Sequence, residues 1–357
     1  MKLSNCIEII SGGTPSTSKS DFWDGDIPWI SIKDFNNSFK YIYKTEKSIT
    51  KQGLEKSSTN MLYKNDIIIS ARGTVGCLAQ IYYPMAFNQS CYGIRTINKD
   101  LMQNYLYYWL IANIDKFKKQ THGAVFDTIT KSTFDNIEIN YPSLVMQQHI
   151  VDIIGSLDDK IENNNKIIEK IDKLGLSKYK KLKNDFIDFN DFANFEKGKE
   201  ASSQNYMSEK NNENINFIRV KDLNSLTDTY ISKTLDIPVA KPNDVLISFD
   251  GAIGRINYGL MGAYSSGIYK VIPKFTNDYG ILYWSLKDNT NQQIMLEHTN
   301  GTTILHGSKS IKYLKIKKHL QDDIDYFNKI FDYSLNIKLE NIKLCELKKL
   351  YLKKFFG

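Results

Sequence analysis

The chain carries one stretch of sequence pattern twice, and this duplication constrains its fold more than any other feature. Pro28-Trp29-Ile30-Ser31-Ile32-Lys33-Asp34-Phe35 matches Asn216-Phe217-Ile218-Arg219-Val220-Lys221-Asp222-Leu223, both alternating apolar stretches closed by Lys-Asp. Asn65-Asp66-Ile67-Ile68-Ile69-Ser70 matches Asn243-Asp244-Val245-Leu246-Ile247-Ser248, each a turn pair leading into a short apolar strand. Each strand enters a glycine-bearing turn, Arg72-Gly73-Thr74-Val75-Gly76 against Asp250-Gly251-Ala252-Ile253-Gly254. Leu106-Tyr107-Tyr108-Trp109 resembles Leu282-Tyr283-Trp284. His122-Gly123-Ala124-Val125-Phe126 stands where Asn300-Gly301-Thr302-Thr303-Ile304 stands, with Lys131 and Lys309 at the same later step. Short apolar strings recur by chance; an ordered series of matches in both halves does not.

Each copy is followed by a helical pattern. Pro142-Ser143 marks the start of the first, and apolar positions recur at Ile150, Ile154, Leu157, Ile161, Ile168 and Ile171. The second carries Ile330, Tyr333, Ile337, Leu344, Leu347 and Tyr351 at similar spacing. The two align as Ile161 with Ile337, Asn165 with Asn341, Ile168 with Leu344 and Ile171 with Leu347. Steps of three and four make a coiled-coil seam. Helices of about 40 residues would be about 60 Å long. One apolar seam on a helix of that length is unstable alone in water, so each copy needs a partner, and the other copy is the obvious one. Pseudo-twofold symmetry would pair them antiparallel and place the two domains at opposite ends, related by about 180°. Asn164 falls at a seam position, where it either fixes register or faces solvent at a frayed seam.

These patterns predict a mixed α+β (α/β) fold with an internal repeat: a first domain over 1–141, a helix over 142–184, a second domain over 185–318 and a second helix over 319–357. At 357 residues the chain suits two domains rather than one, and a hydrophobic fraction of 41% is that of a globular protein. The absence of any run of about 18 apolar residues, and of an apolar stretch after Met1-Lys2-Leu3-Ser4-Asn5-Cys6, predicts neither a membrane span nor a secretory leader. The four cysteines, Cys6, Cys77, Cys91 and Cys345, are scattered and form no CxxC pair, as expected in a reducing cytoplasm. The net charge, 47 − 40 = +7, suits a polyanionic partner, although a lysine-rich composition alone would also produce it. All four arginines, Arg72, Arg95, Arg219 and Arg255, lie in the two mixed domains and none in the long helices.

The order of motifs resembles a known family. Ile9-Ile10-Ser11-Gly12-Gly13-Thr14-Pro15-Ser16, then Ile27-Pro28-Trp29-Ile30, then Ile68-Ile69-Ser70-Ala71-Arg72-Gly73-Thr74-Val75-Gly76 looks like the start of a type I restriction–modification specificity subunit. The stretch from Gln147-Gln148-His149-Ile150-Val151 through Leu157-Asp158-Asp159-Lys160-Ile161-Glu162 to Leu174 resembles that family's central conserved region. The resemblance covers nearly the whole chain. The second half departs more: Glu196-Lys197-Gly198-Lys199 replaces Ser-Gly-Gly-Thr, and the second helix lacks the Gln-Gln start. The resemblance implies two target recognition domains separated by two antiparallel conserved helices, each domain reading one half of a split DNA sequence. It implies a subunit that holds two methylation subunits and further restriction subunits around double-stranded DNA, with helix length setting the gap between half-sites, so that shortening the first helix by one heptad changes the gap. S-adenosylmethionine, ATP and Mg would then belong to those partners, and this chain would hold no cofactor of its own.

Reading base edges needs short polar side chains on rigid loops, with cations for phosphates. Gly73 and Gly76 allow close backbone approach, and Arg72, beside Thr74, can offer a fork to guanine. At the matched place Asp250, before Gly251, can accept from cytosine N4, and Arg255 aligns with Cys77. Alternatively Arg72 pairs with a phosphate or a carboxylate and Asp250 caps its turn. Asn88-Gln89-Ser90 and Tyr264-Ser265-Ser266 form a second matched pair, readers of adenine or ordinary turns. His122 and Thr302 precede Lys131 and Lys309, candidate phosphate contacts. Lys33 and Lys221, with Arg219 beside the latter, complete the candidate DNA-binding set, unless the two Lys-Asp pairs are only caps. No Asn-Pro-Pro-Tyr-like, Walker or GxGxxG motif is present, and the five histidines, His122, His149, His298, His306 and His319, show no metal spacing. This favours a non-catalytic recognition subunit over a diverged methyltransferase fragment or a coiled-coil adaptor without a DNA role.

Overall fold

A short strand with an unbroken run of large apolar residues is stable only where both its faces are covered, and both halves of the chain build their main sheet around such a strand. The computed structural model describes residues 1–35, 39–121, 128–224, 227, 229–275, 278–299 and 306–357. The chain divides into two compact units, Met1–Asn163 with Lys343–Gly357, and Asn164–Ile342.

In the first unit Ile67–Ser70 is fully buried within a five-stranded sheet, ordered Ile7–Ser11, Cys91–Thr96, Ile67–Ser70, Leu78–Ile81, Tyr41–Ile42. Ile67 and Ile69 join a core with Leu106, Trp109 and Leu110 of the Gln103–Thr121 helix. Ile68, pointing the other way, joins Ile30, Leu62 and Phe87 of a second sheet. That sheet is ordered Lys47–Ile49, Trp23–Ile30, Met85–Phe87, Met61–Leu62, and its central pair is parallel.

The second unit repeats this plan. Val245–Ser248 lies between Ile268–Pro273 and Ile256–Asn257, with Ala193–Lys197 at the edge. Val245 and Ile247 share a core with Leu282, Trp284 and Leu286, while Leu246 packs with Ile218 and Tyr264 of the other sheet. That sheet is ordered Tyr230–Ser232, Asn214–Ile218, Gly262–Tyr264, Val239–Ala240, again with a parallel central pair. Strand order, burial pattern and the parallel pair all recur, so the fold is a mixed α/β repeat.

Two long helices, Leu144–Lys180 and Gln321–Phe356, each contribute residues to both units. The first turn of the first helix is anchored by Gln147, whose fully buried amide donates to the carbonyls of Asp100 and Pro142 and accepts from the Met102 amide. Three hydrogen bonds on one side chain fix where the helix begins. Within the first unit Asp158 accepts from Lys348 at 2.5 Å and from Tyr108 at 2.9 Å. Within the second, Lys178 faces Asp323 at 3.5 Å and Asn164 meets Asn341 at 2.8 Å. In the second unit partners rise along one helix as they fall along the other, which is antiparallel pairing.

Asn164 faces the seam. It is 2% exposed, and its Nδ2 donates to Asn341 Oδ1 and Glu340 Oε2, while Asn341 Nδ2 donates to Asn165 Oδ1. The seam of the second helix differs from the expected one. Its buried positions are Phe327, Phe331, Ser334, Ile337 and Asn341, whereas Tyr333 is 57% and Leu347 39% exposed. The large aromatic core around Trp284 and Tyr258 draws Phe327 and Phe331 inward and turns Tyr333 out. Replacing Asn341 with alanine leaves the amide groups of Asn164 and Asn165 without this partner and is expected to cost about 1–3 kcal/mol. Denaturant unfolding checks this, and no shift in midpoint would mean the seam is solvated.

Candidate nucleic-acid interface

The glycine-bearing turns are built by the same backbone bonds in both units. Ser70 Oγ donates to the Thr74 carbonyl and accepts from the Cys77 amide at 2.8 Å, while the Gly76 amide donates to the Ser70 carbonyl at 2.9 Å. Ser248 does the same with the Ala252 carbonyl, the Arg255 amide and the Gly254 amide. Gly73 and Gly76 have φ of 74° and 87°, and Gly251 and Gly254 have 71° and 78°. These are left-handed angles that side-chain-bearing residues adopt at a cost, so the paired glycines in the sequence are a requirement of this turn. The serine knot makes each turn rigid, which is what a reading loop needs.

In the first unit this turn lies against two further segments. The amides of Ala71 and Arg72 donate to the Ser90 carbonyl, and the Ile129 amide donates to the Ala71 carbonyl. Thr14 hydrogen-bonds Gln89. Arg72, Gly73, Thr74, Gln89 and Lys131 are exposed, Asn88 and Ser90 half-buried. Among the described residues the Arg72 side chain makes no hydrogen bond or ion pair. The structure therefore gathers Arg72, Thr74, Asn88, Gln89 and Ser90 on one surface, with the chain leading to Lys131 alongside.

In the second unit the Phe249 and Asp250 amides donate to the Gly267 carbonyl, and the Gly307 amide to the Phe249 carbonyl. Asp250 thus stands where Arg72 stands, and Lys309, also exposed, where Lys131 stands. Ser266 Oγ donates to Glu200 at 3.3 Å, the counterpart of the Thr14–Gln89 contact. The frame repeats while its side chains change: Arg72 against Asp250, and Thr14 with Gln89 against Glu200 with Ser266.

These backbone bonds shift the second matched pair by one residue. Asn88 donates from its amide to Ile30 as Ser265 does to Ile218, so Asn88-Gln89-Ser90 corresponds to Ser265-Ser266-Gly267. Tyr264, expected beside them, corresponds to Phe87 and is fully buried. Its hydroxyl donates to Glu196 Oε2 at 2.8 Å, and Lys270, 2.6 Å away, together with this hydroxyl holds the Glu196 carboxyl below its ordinary range. Ser265 is also buried. By the same bonds Gly12 corresponds to Gly198, so Lys197-Gly198-Lys199-Glu200 stands for Ser-Gly-Gly-Thr.

Other candidates have internal partners. Arg219 reaches Asp222 at 3.4 Å and Thr229 at 2.5 Å and lies over the Tyr206 ring. Arg255 reaches the Val220 carbonyl at 3.5 Å. Asp34 and Asp222 accept from the amides of Ser31 and Arg219, three residues back, so the Lys-Asp carboxylates cap short turns. Lys33, exposed, pairs with Glu46 at 3.4 Å, and Lys221 is exposed. His122 and Thr302 lie outside the described residues. Sequence reasoning missed His306, whose Nδ1 lies 2.8 Å from Asp250 Oδ1. It also missed Thr14 and Glu200 as contacts of the second segment. The contacting residues are far apart in sequence, and only the repeat of Gly12 with Gly198 signals the latter pair.

Among the described residues no cluster of three or more metal-ligating side chains forms, and no helix is long and apolar enough to cross a membrane. Residues 1–173 match a family described as the type I restriction modification DNA specificity domain. Over 200 residues, 55% of this chain and 45% of the relative, the chain is 36% identical to the type I restriction enzyme MjaIX specificity subunit of Methanocaldococcus jannaschii. Over 155 residues, 41% of this chain and 37% of the relative, it is 32% identical to the EcoR124I/EcoR124II specificity subunit of Escherichia coli. The matched stretches thus span less than half the length of these relatives. The fold is similar to that of the crystal structure of a type I restriction-modification S subunit from M. genitalium, with a TM-score of 0.55 at 17% identity, covering 100% of this chain and 95% of that one.

Proposed function

We propose that this chain, whose residues 1–173 match the type I restriction modification DNA specificity domain, is a specificity subunit of that kind, and that each of its two units reads one half of a bipartite sequence in double-stranded DNA. The observation that carries the reading is the repeated turn. A rigid frame conserved to the level of individual backbone bonds presents a cation at Arg72 and a carboxylate at Asp250. A structural motif has no use for opposite charges at equivalent places of one frame, whereas two readers of different half-sites do. Lys131 and Lys309, equivalent and exposed beside the turns, fit phosphate contacts that set orientation without specifying sequence.

On this reading the long helices set the gap between half-sites and carry docking surfaces for two methylation subunits and for restriction subunits. Methyl transfer from S-adenosylmethionine, and ATP- and Mg-dependent steps, are the work of those partners, and this chain is a non-catalytic cytoplasmic subunit. Mapping methylated positions in cells that carry this chain with its cognate methylation subunit tests the proposal. A split motif with an unspecified gap is expected; a continuous motif, or methylation independent of this chain, would overturn it.

A further inference from the structure

We propose that His306, held by Asp250, is a base-reading side chain of the second unit and takes an exocyclic amino group, adenine N6 or cytosine N4, in the major groove. The inference rests on the DNA-reading function above and names a contact within it. At the place equivalent to Arg72, the most exposed functional group is an imidazole and not a carboxylate. The side chain of Asp250 is 20% exposed, that of His306 61%. The two residues pair as an isolated antiparallel bridge, and the next amide, of Gly307, donates to the Phe249 carbonyl at 2.6 Å. Backbone bonds therefore carry His306 to the turn, and the Nδ1–Oδ1 contact of 2.8 Å orients its ring.

The chemistry of the exposed edge follows from that contact. A carboxylate only accepts, so the shared proton sits on Nδ1. With Nδ1 engaged in this way, the neutral form of the ring keeps its one acceptor at Nε2. Among base edges in the major groove, an acceptor is matched by the amino groups of adenine and cytosine, while guanine N7 and O6 and thymine O4 are acceptors themselves. Arg72, a donor only, makes the complementary demand in the first unit. Asp250 is then a positioning residue that acts through His306. The carboxylate that the sequence offers as a direct reader is already engaged, and the unit reads one bond further out. Among the described residues nothing lies within 4 Å of where a Cβ on Gly251, beside the pair, would stand.

The test uses the full chain in complex with its methylation subunits on a duplex containing the mapped site. His306→Ala is expected to lose roughly five- to tenfold discrimination at one base pair of one half-site and to leave the other half-site unchanged. Asp250→Ala should relax the same position, and Asp250→Asn, whose amide oxygen can accept from the same ring N–H, should restore it. An analogue lacking the amino group at that base, purine for adenine or 2-pyrimidinone for cytosine, should cost the unaltered complex the same factor and the His306→Ala complex nothing more. An unchanged motif with His306→Ala would overturn the proposal. So would relaxation by Asp250→Ala at a position that His306→Ala leaves intact, since Asp250 would then read DNA directly. If the unaltered complex shows no split motif, the failure belongs to the function proposed above and not to this contact alone.

Discussion

Alanine in place of Trp284 is expected to destabilise the second unit by about 3–5 kcal/mol, the largest single-residue effect the fold predicts. Trp284 is fully buried and packs its ring against Phe327 and Tyr283. Its Nε1 donates to the Asp172 carbonyl on the first long helix at 3.2 Å. That helix comes so close that a Cβ on Gly175 would lie 2.1 Å from the indole. The packing is therefore between a large ring and a bare helix backbone, which cannot collapse into the space the ring leaves. Guanidinium unfolding followed by tryptophan-independent circular dichroism measures the loss. Leu347→Ala, at a 39% exposed position, serves as the control and should stay within about 0.5 kcal/mol. A cost below about 1 kcal/mol at Trp284 would mean that the helix and the recognition unit are not packed as described.

If each unit reads one half-site as proposed, inserting one heptad into each long helix, between Asn163 and Asn164 and between Ile342 and Lys343, is expected to lengthen the unspecified gap by up to about three base pairs. Seven residues add about 10 Å to a helix, and one base pair spans about 3.4 Å of duplex. Seven residues return the helix face to within about 20°, so the seam stays in phase. The insertion points coincide with the division between the compact units, so the contacts within each, including Asn164–Asn341 and Asp158–Lys348, are kept. Methylated-site mapping reads the gap. An unchanged gap with both half-sites intact would show that helix length does not measure the DNA. Loss of both half-sites would show instead that the insertion had broken the fold, and circular dichroism distinguishes that case.

Much of this architecture was legible in the sequence for a definite reason. The repeat could be aligned because its markers act locally. Apolar runs such as Ile67-Ile68-Ile69 and Val245-Leu246-Ile247 mark strands covered on both faces, and Gly73, Gly76, Gly251 and Gly254 mark left-handed positions in one kind of turn. The seam of the first helix was readable at Ile150, Ile154, Ile161 and Ile171 because helical periodicity follows from backbone geometry. In the second helix the same reasoning chose Tyr333 and Leu347, while the fold buries Phe327 and Phe331. Two overlapping apolar stripes run along that helix, and the choice between them belongs to the aromatic core it packs against.

The candidate site divides along the same line. The duplicated mixed α/β unit with its long helices, and the equivalent turns that carry Arg72 in one copy and Asp250 in the other, can be read from the amino acids alone. Those statements depend on residues near one another in the chain, where periodicity and glycine geometry operate. The folded chain settles which polar side chains are exposed and which are engaged: Tyr264 and Ser265 lie in the core, Arg219 bonds to Asp222 and Thr229, Asn164 lies in the seam, and His306 is drawn to Asp250 across 56 positions. Exposure and partnership are set by packing between distant segments, and burial of a polar group is stable only when a distant partner satisfies it.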